Sequence, residues 1–211
     1  MAALQTIKDT AKKIWRFFWV SESIWSWLAN IILAFVLIKF IVYPGLGFIL
    51  ETSFPVVAVV SGSMEHDGNF DAWWNSLTAF CNSQNCEQKA WYAQHEISEE
   101  QFKAYIFKNG FNKGDIMILH GIEPKNIKIG DVLVFQSSQS GEPIIHRVAE
   151  IHGNESEGFI YQTKGDHNPA SGPMDMEIPE KAIIGNAIFR VPILGWIKIL
   201  FVDFLSFFMG K

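Results

Sequence analysis

The chain has 211 residues, of which 49% are hydrophobic and only 18% are charged, and its formal net charge is −5 at pH 7. This length accommodates one domain together with membrane segments, and so apolar a composition is typical of a membrane protein with a soluble part. An acidic chain lacks the basic surface that nucleic-acid phosphates require, so we expect no nucleic-acid partner.

The first fifty residues (1–50) predict a basic segment followed by a membrane anchor. Residues 24–50 read IWSWLANIILAFVLIKFIVYPGLGFIL, and about 20 apolar residues suffice to cross a bilayer core. We expect a transmembrane helix from about Ile24 to Tyr43, ended by Pro44 and Gly45. Tryptophans near its start suit the membrane interface. The alternative is a buried core helix.

The distribution of charge predicts the orientation of this anchor. Residues 1–43 hold five Lys or Arg and two Asp or Glu, whereas residues 44–192 hold ten and nineteen. Basic flanks stay in the cytoplasm, so we expect a cytoplasmic N-terminus in the cell (plasma) membrane and an extracytoplasmic acidic domain. No cleavage motif with small residues promptly follows the apolar segment, which favours an anchor over a removed signal peptide.

Residues 51–192 predict a small, mainly β domain. Short β-like runs are separated by turn signals such as Gly-Asp, and the first run reads as a strand buried on both faces. The runs lie at residues 54–60, 116–120, 132–136, 144–151, 159–163 and 183–191.

The C-terminal segment, residues 193–211, is apolar and predicts either a second span or a helix in the membrane interface.

Residues 65–113 interrupt this β pattern with aromatic residues and helix formers. Ser98 and Gln101 have the spacing of a capping box and predict a helix running to about Lys108. We interpret the segment as a mostly helical insertion that packs against the β domain. Its two cysteines, Cys81 and Cys86, could form a disulfide outside the cytoplasm.

Three short motifs carry side chains that could perform catalysis. SGSM at 61–64 ends an apolar run, HRV at 146–148 lies in a predicted strand, and TKGD at 163–166 leads into a polar turn. A serine nucleophile needs a neighbouring base, a histidine can supply it, and a carboxylate can orient that histidine. Each motif alone also has an ordinary explanation, namely a turn serine, a structural histidine or a plain Gly-Asp turn.

Taken together and in this order, the motifs resemble the type I signal peptidases, specifically the archaeal and endoplasmic-reticulum type that uses histidine as base. The resemblance covers residues 54–64 and 113–192 but not the insertion. It implies a signal-peptidase-like β catalytic domain that removes signal peptides from exported preproteins after small residues. The membrane and the export translocon would be its partners, and the Ser-His mechanism would need no metal or other cofactor.

Carried over to this sequence, the resemblance implies a role for each polar residue. Ser63 becomes the nucleophile and His146 the general base, and the Ser61 hydroxyl joins the Ser63 amide as oxyanion donor. The acid is open, because glycine stands at position 172, where the family has its second aspartate. We expect Asp175 to be the triad acid and Asp166 a supporting carboxylate, although these roles could be exchanged.

Some alternatives remain at this stage. His66 stands where the family usually has proline and is a rival base three residues from Ser63. A zinc site formed by His66, His95 and the cysteines matches no strong ligand spacing. The chain could instead be a catalytically silent, membrane-tethered β module that binds partners through its aromatic insertion. The related self-cleaving repressor fold uses lysine as base and lacks this anchor.

Overall fold

The architecture comes from a computed structural model that describes residues 2–137 and 139–209. The chain divides into two compact units, Met1–Ile49 and Leu50–Lys211. The first unit is helical, and the second is built on a β-sheet. The predicted fold class, mainly β with an N-terminal apolar helix, helical parts and an apolar C-terminal helix, is confirmed.

The first unit consists of α1 (Ala2–Trp19) and a longer apolar helix. The apolar helix comprises α2 (Ile24–Leu37), a π-helical turn (Ile38–Val42) and α3 (Tyr43–Ile49). Ser23 caps its N-terminus by accepting a hydrogen bond from the Ser26 N–H. Together the three segments span 26 residues, and among the described residues this is the one helix long and apolar enough to cross a membrane.

The prediction that Pro44 ends this helix is wrong. A proline inside an α-helix removes one hydrogen bond, and its ring clashes with the preceding turn. Here the π turn lies immediately before the proline, and the Tyr43 N–H donates to the Ile38 carbonyl across five residues. The wider turn gives the ring room, so the helix continues to Ile49.

The second unit contains a seven-stranded antiparallel sheet with the order β1-β4-β9-β5-β6-β7-β8. Two single turns of 3₁₀-helix, Pro124–Asn126 and Glu180–Ala182, connect its strands, and α7 (Trp196–Met209) follows the last one. The strands are β1 (Val56–Ala58), β4 (Ile116–His120), β5 (Val132–Phe135), β6 (Ile144–Asn154), β7 (Gly158–Lys164), β8 (Ile178–Pro179) and β9 (Ile183–Val191).

The strands of this sheet overlap the predicted runs, but one strand was missed and one prediction of burial is wrong. The two-residue strand β8 was not predicted, because its partner Tyr161 lies far from it in sequence. The expectation that the first strand is buried on both faces is wrong. Strand β1 pairs only with β4 and lies at the sheet edge, where its three residues are partly exposed.

The insertion folds around an aromatic core of its own. It contains α4 (Phe70–Trp74), a hairpin of β2 (Ala79–Cys81) and β3 (Gln84–Cys86), α5 (Gln88–Gln94) and α6 (Glu99–Ala104). The disulfide between Cys81 and Cys86 is present and closes the hairpin. Buried aromatic residues of the insertion pack together with Ala149 of the sheet. The insertion is therefore joined to the sheet through a shared core.

The capping box predicted at the start of α6 is confirmed, since the Ser98 and Gln101 side chains each bond the other's backbone N–H. The predicted end of that helix at Lys108 is wrong. The helix ends at Ala104, because Tyr105 takes an extended conformation and Phe107 a left-handed one. Arg147 of the sheet uses the carbonyl groups of the following turn, so a tertiary contact ends the helix early.

Candidate active site

Ser63 lies in a tight turn just beyond the edge strand β1. The Glu65 N–H donates to the Gly62 carbonyl at 3.0 Å and closes this turn. The next side chain, Met64, is completely buried in a core cluster beneath the sheet, and the Phe111 N–H donates to its carbonyl at 3.0 Å. The methionine of SGSM therefore anchors the turn and fixes the position of Ser63.

His146 connects Ser63 to Asp175 through a chain of hydrogen bonds. It lies near the start of β6, opposite Leu133 of β5, and is 7% exposed. Its Nε2 is 3.0 Å from the Ser63 Oγ, and its Nδ1 is 2.6 Å from Oδ1 of Asp175. These distances are within direct hydrogen-bonding range, so strand β6 brings together three residues that are distant in sequence.

The surroundings of Asp175 favour its ionised form. Burial raises the pKa of this carboxyl, but hydrogen bonds from His146 and from the Thr163 hydroxyl outweigh that effect and lower it. The Gly172 N–H also donates to Oδ2, at 3.1 Å. Because a carboxylate only accepts, the Nδ1 of His146 carries the hydrogen, and in this tautomer of the neutral ring the Nε2 lone pair faces Ser63.

The loop after β7 contacts both Ser63 and His146. The His167 N–H donates to the Ser63 carbonyl at 2.8 Å. A Cβ added to Gly165 would lie 2.7 Å from the Ser63 carbonyl oxygen and 2.8 Å from the His146 Nε2. Such distances are too short for a side chain, so only glycine fits at this position. The exposed Ser61 places its Oγ 3.2 Å from the Ser63 Oγ.

Asp166 has different partners from Asp175. Its carboxylate is completely buried and accepts two hydrogen bonds from Arg147, at 3.0 and 2.7 Å. It accepts two more from the Tyr92 hydroxyl and the His66 Nε2, each at 3.0 Å. Burial raises the pKa of Asp166, but the Arg147 guanidinium outweighs it and holds the pKa well below its usual range. The structure therefore separates the two aspartates that the sequence left interchangeable.

His66, the rival base, bonds Asp166 and stacks on the Trp73 ring with 3.6 Å between ring centroids. Its side chain is buried. The structure thus gives the two histidines different partners: His146 contacts Ser63, and His66 contacts the Asp166 ion pair. Among the described residues, no group of three or more His, Cys, Asp or Glu side chains is arranged to hold a metal ion.

Sequence reasoning missed three residues that support this site. Arg147 is 1% exposed and gives all its N–H groups to Asp166 and to the carbonyls of Ile106, Phe107 and Gly130. Thr163 donates to Asp175, and burial lowers the pKa of Lys164 to about 7. All three lie inside the quoted HRV and TKGD motifs. Arg147 is a charged residue within an apolar strand, and this pattern could have indicated a buried ion pair.

Comparison with known proteins supports a class of enzyme, the signal peptidases. No family model matches the chain. The chain is similar to proteins named "Signal peptidase complex catalytic subunit". It is 28% identical to SEC11C of Homo sapiens over 104 residues, which are 46% of this chain and 53% of that protein. It is 32% identical to SEC11 of Zygosaccharomyces rouxii over 95 residues, or 42% and 56% of the two chains.

A third relative, sec11 of Dictyostelium discoideum, is 30% identical over 106 residues, which are 47% of this chain and 59% of that protein. The aligned region spans a little more than half the length of these relatives. The resemblance to signal peptidases that the three motifs predicted is therefore confirmed by homologues. Their shared name, catalytic subunit, supports a peptidase.

Proposed function

We propose that this chain is a membrane-anchored serine endopeptidase that removes signal peptides from exported preproteins, cutting after small residues of the A-x-A type. The observation that carries the proposal is the hydrogen-bonded chain Ser63–His146–Asp175. Two of its three members, Ser63 and His146, lie in motifs that resemble the signal peptidases. The homology to signal peptidase catalytic subunits supports the same reaction.

In the proposed first step, the Ser63 Oγ attacks the carbonyl carbon of the scissile peptide bond. His146 Nε2, 3.0 Å away, accepts the hydroxyl proton as the C–O bond forms. The Asp175 carboxylate then stabilises the imidazolium through the Nδ1–H. The Ser61 hydroxyl and the Ser63 N–H are the proposed donors to the oxyanion, and one such donor is commonly worth about 3 kcal/mol of barrier.

In the second step the tetrahedral intermediate breaks its C–N bond. The imidazolium gives its proton to the leaving amine, which becomes the new N-terminus of the mature protein. The signal peptide stays bound to Ser63 as an ester. Water then attacks this acyl-enzyme with His146 again as base, and the Ser63 hydroxyl is regained as the signal peptide leaves.

The edge strand β1 supports the proposed mode of substrate binding. It pairs with β4 on one side only, and Ser63 follows five residues after its end. An extended peptide can add to an exposed sheet edge through main-chain hydrogen bonds, which would bring its scissile carbonyl to Ser63. The tight contact of Gly165 with Ser63 and His146 leaves little room beside the nucleophile and favours small side chains before the cut.

The proposal divides the chain into parts with separate roles. Residues 1–50 provide the anchor, 51–192 the extracytoplasmic catalytic domain with its 65–113 insertion, and 193–211 a membrane-associated segment. The basic residues before the apolar helix favour a cytoplasmic N-terminus in the cell membrane. The lipid membrane and the export translocon, which delivers preproteins, are the proposed partners.

Cleavage of a preprotein tests the proposal. We expect the full-length protein in detergent or lipid to release the signal peptide, with mass spectrometry locating the cut after a small-residue motif. Ser63→Ala should abolish cleavage, and Ser156→Ala, in an exposed turn, should not. Equal cleavage by the wild type and Ser63→Ala would contradict the assignment of the nucleophile. No cleavage by the wild type would favour the silent binding module.

A further inference from the structure

The loop at residues 164–168 is the element through which the insertion reaches the proposed catalytic groups. Within it, Gly165 packs against the Ser63 carbonyl and the His146 Nε2, and His167 bonds the same carbonyl. The two neighbours of Gly165, Lys164 and Asp166, are both completely buried. The contacts of these two neighbours therefore decide where Gly165 lies.

Helix α5 of the insertion binds both neighbours. Gln88 and Tyr92 are four residues apart, so they lie on one face of this helix, and both are completely buried. The Tyr92 hydroxyl donates to Oδ1 of Asp166 at 3.0 Å. The Lys164 Nζ donates to Oε1 of Gln88 at 2.9 Å. One face of helix α5 is thus hydrogen-bonded to the loop on both sides of Gly165.

Further contacts of Lys164 and Asp166 hold the loop in place. The Lys164 Nζ lies 5.1 and 5.0 Å from the ring centroids of Trp91 and Tyr92, and it also bonds the carbonyls of Gly165 and Asp166. The Trp73 indole N–H donates to the Asp166 carbonyl at 3.1 Å. These bonds hold the backbone of the loop as well as its side chains, so a shift of the helix face would move the loop.

We propose that helix α5 positions the 164–168 loop against Ser63 and His146, which makes Gln88 and Tyr92 positioning residues for the peptidase reaction. The inference rests on the proposed function and extends it to a segment outside the resemblance to signal peptidases. Displacement of a reacting group by about 1 Å can cost about 100-fold in rate. The insertion then serves catalysis from a distance, without contact with the substrate.

Two conservative variants test the proposal in the full-length protein. Tyr92→Phe removes only the hydroxyl, and Gln88→Met keeps the length of the side chain while removing its oxygen. We expect kcat for a preprotein with an Ala-x-Ala motif to fall about tenfold in each variant, with KM unchanged. The control is Ile97→Val, which trims the same aromatic core without touching Lys164 or Asp166. It should keep the wild-type kcat.

A wild-type kcat in both variants would overturn the proposal. The proposal would also be overturned if Ile97→Val lost as much kcat as Tyr92→Phe and Gln88→Met while its melting temperature resembled theirs. The loss of kcat would then reflect general destabilisation of the insertion. Hydrogen exchange of the 164–168 amides, measured without substrate, separates this inference from the proposed function. Faster exchange in Tyr92→Phe than in Ile97→Val supports the positioning contact even if Ser63→Ala shows the cleavage assignment to be wrong. Unchanged exchange overturns it.

Discussion

The two aspartates of the site should respond in opposite ways to the same isosteric substitution. Asp175→Asn replaces the carboxylate that accepts the His146 Nδ1–H at 2.6 Å. An amide can turn its NH₂ group toward the ring and stabilise the tautomer that carries its hydrogen on Nε2, which cannot accept a proton from Ser63. In a serine-protease triad this change lowers kcat about 10⁴-fold, which corresponds to about 5.5 kcal/mol of activation free energy.

Asp166→Asn should instead act mainly on stability. Asp166 and Arg147 form a buried ion pair with a 2.7 Å contact, and removing one partner of such a pair costs about 3–5 kcal/mol. For a domain of this size that corresponds to a fall in the melting temperature of roughly 10 °C. Asp175→Asn keeps an amide oxygen that can accept from Thr163 and loses mainly the charge-assisted hydrogen bond from His146, which is worth about 1.5–3 kcal/mol, so it should melt at a higher temperature than Asp166→Asn.

The assay pairs preprotein cleavage with thermal unfolding of each variant in the same detergent. Asp71→Asn, which alters a carboxylate that is 77% exposed, is the control for the loss of one charge. We expect Asp175→Asn to be folded and inactive, and Asp166→Asn to be destabilised and to retain reduced but measurable cleavage at temperatures below its melting point. If Asp166→Asn is stable and inactive while Asp175→Asn cleaves at the wild-type rate, the assignment of the triad acid is refuted.

Three further predictions concern Gly165, the titration of Asp175 and the disulfide of the insertion. Gly165→Ala places a methyl group 2.8 Å from the proposed base and should lower kcat about 100-fold, whereas Gly141→Ala, with nothing within 4 Å, should leave it unchanged. The lowered pKa of Asp175 means that its ionised form contributes stability above the unfolded pKa of about 4. That contribution is lost as the pH falls further, so Asp175→Asn should flatten the acid side of a plot of melting temperature against pH; an unchanged slope would contradict this linkage. Reducing the Cys81–Cys86 disulfide, which closes a short loop, should cost about 2 kcal/mol, measured as a lower melting temperature with dithiothreitol; Cys81→Ser should show no further fall on reduction.

Local patterns in the chain were sufficient to predict the apolar helix, most of the strands and the polar residues of the site. Strand and helix periodicities depend on neighbouring residues, so runs such as Ile116–His120 and Ile183–Val191 could be bounded exactly. The Ser98 capping box was equally local. The serine and histidine could be proposed because their motifs are contiguous, Asp166 because it ends the last motif, and Asp175 because it follows that motif.

Contacts between distant segments determined two of the features that the sequence left open or predicted wrongly. The choice between Asp166 and Asp175 depends on which carboxylate faces the His146 ring and which faces Arg147, and both lie in one loop that the sequence cannot orient. Helix α6 ends early for a similar reason, since Arg147 donates hydrogen bonds to the backbone carbonyl groups that follow the helix. The continuation of the apolar helix past Pro44 has a local cause, because the π turn before it makes room for the proline ring. For the two aspartates and the end of α6, burial of a polar group requires a partner from far along the chain, and neighbouring residues carry no record of that partner.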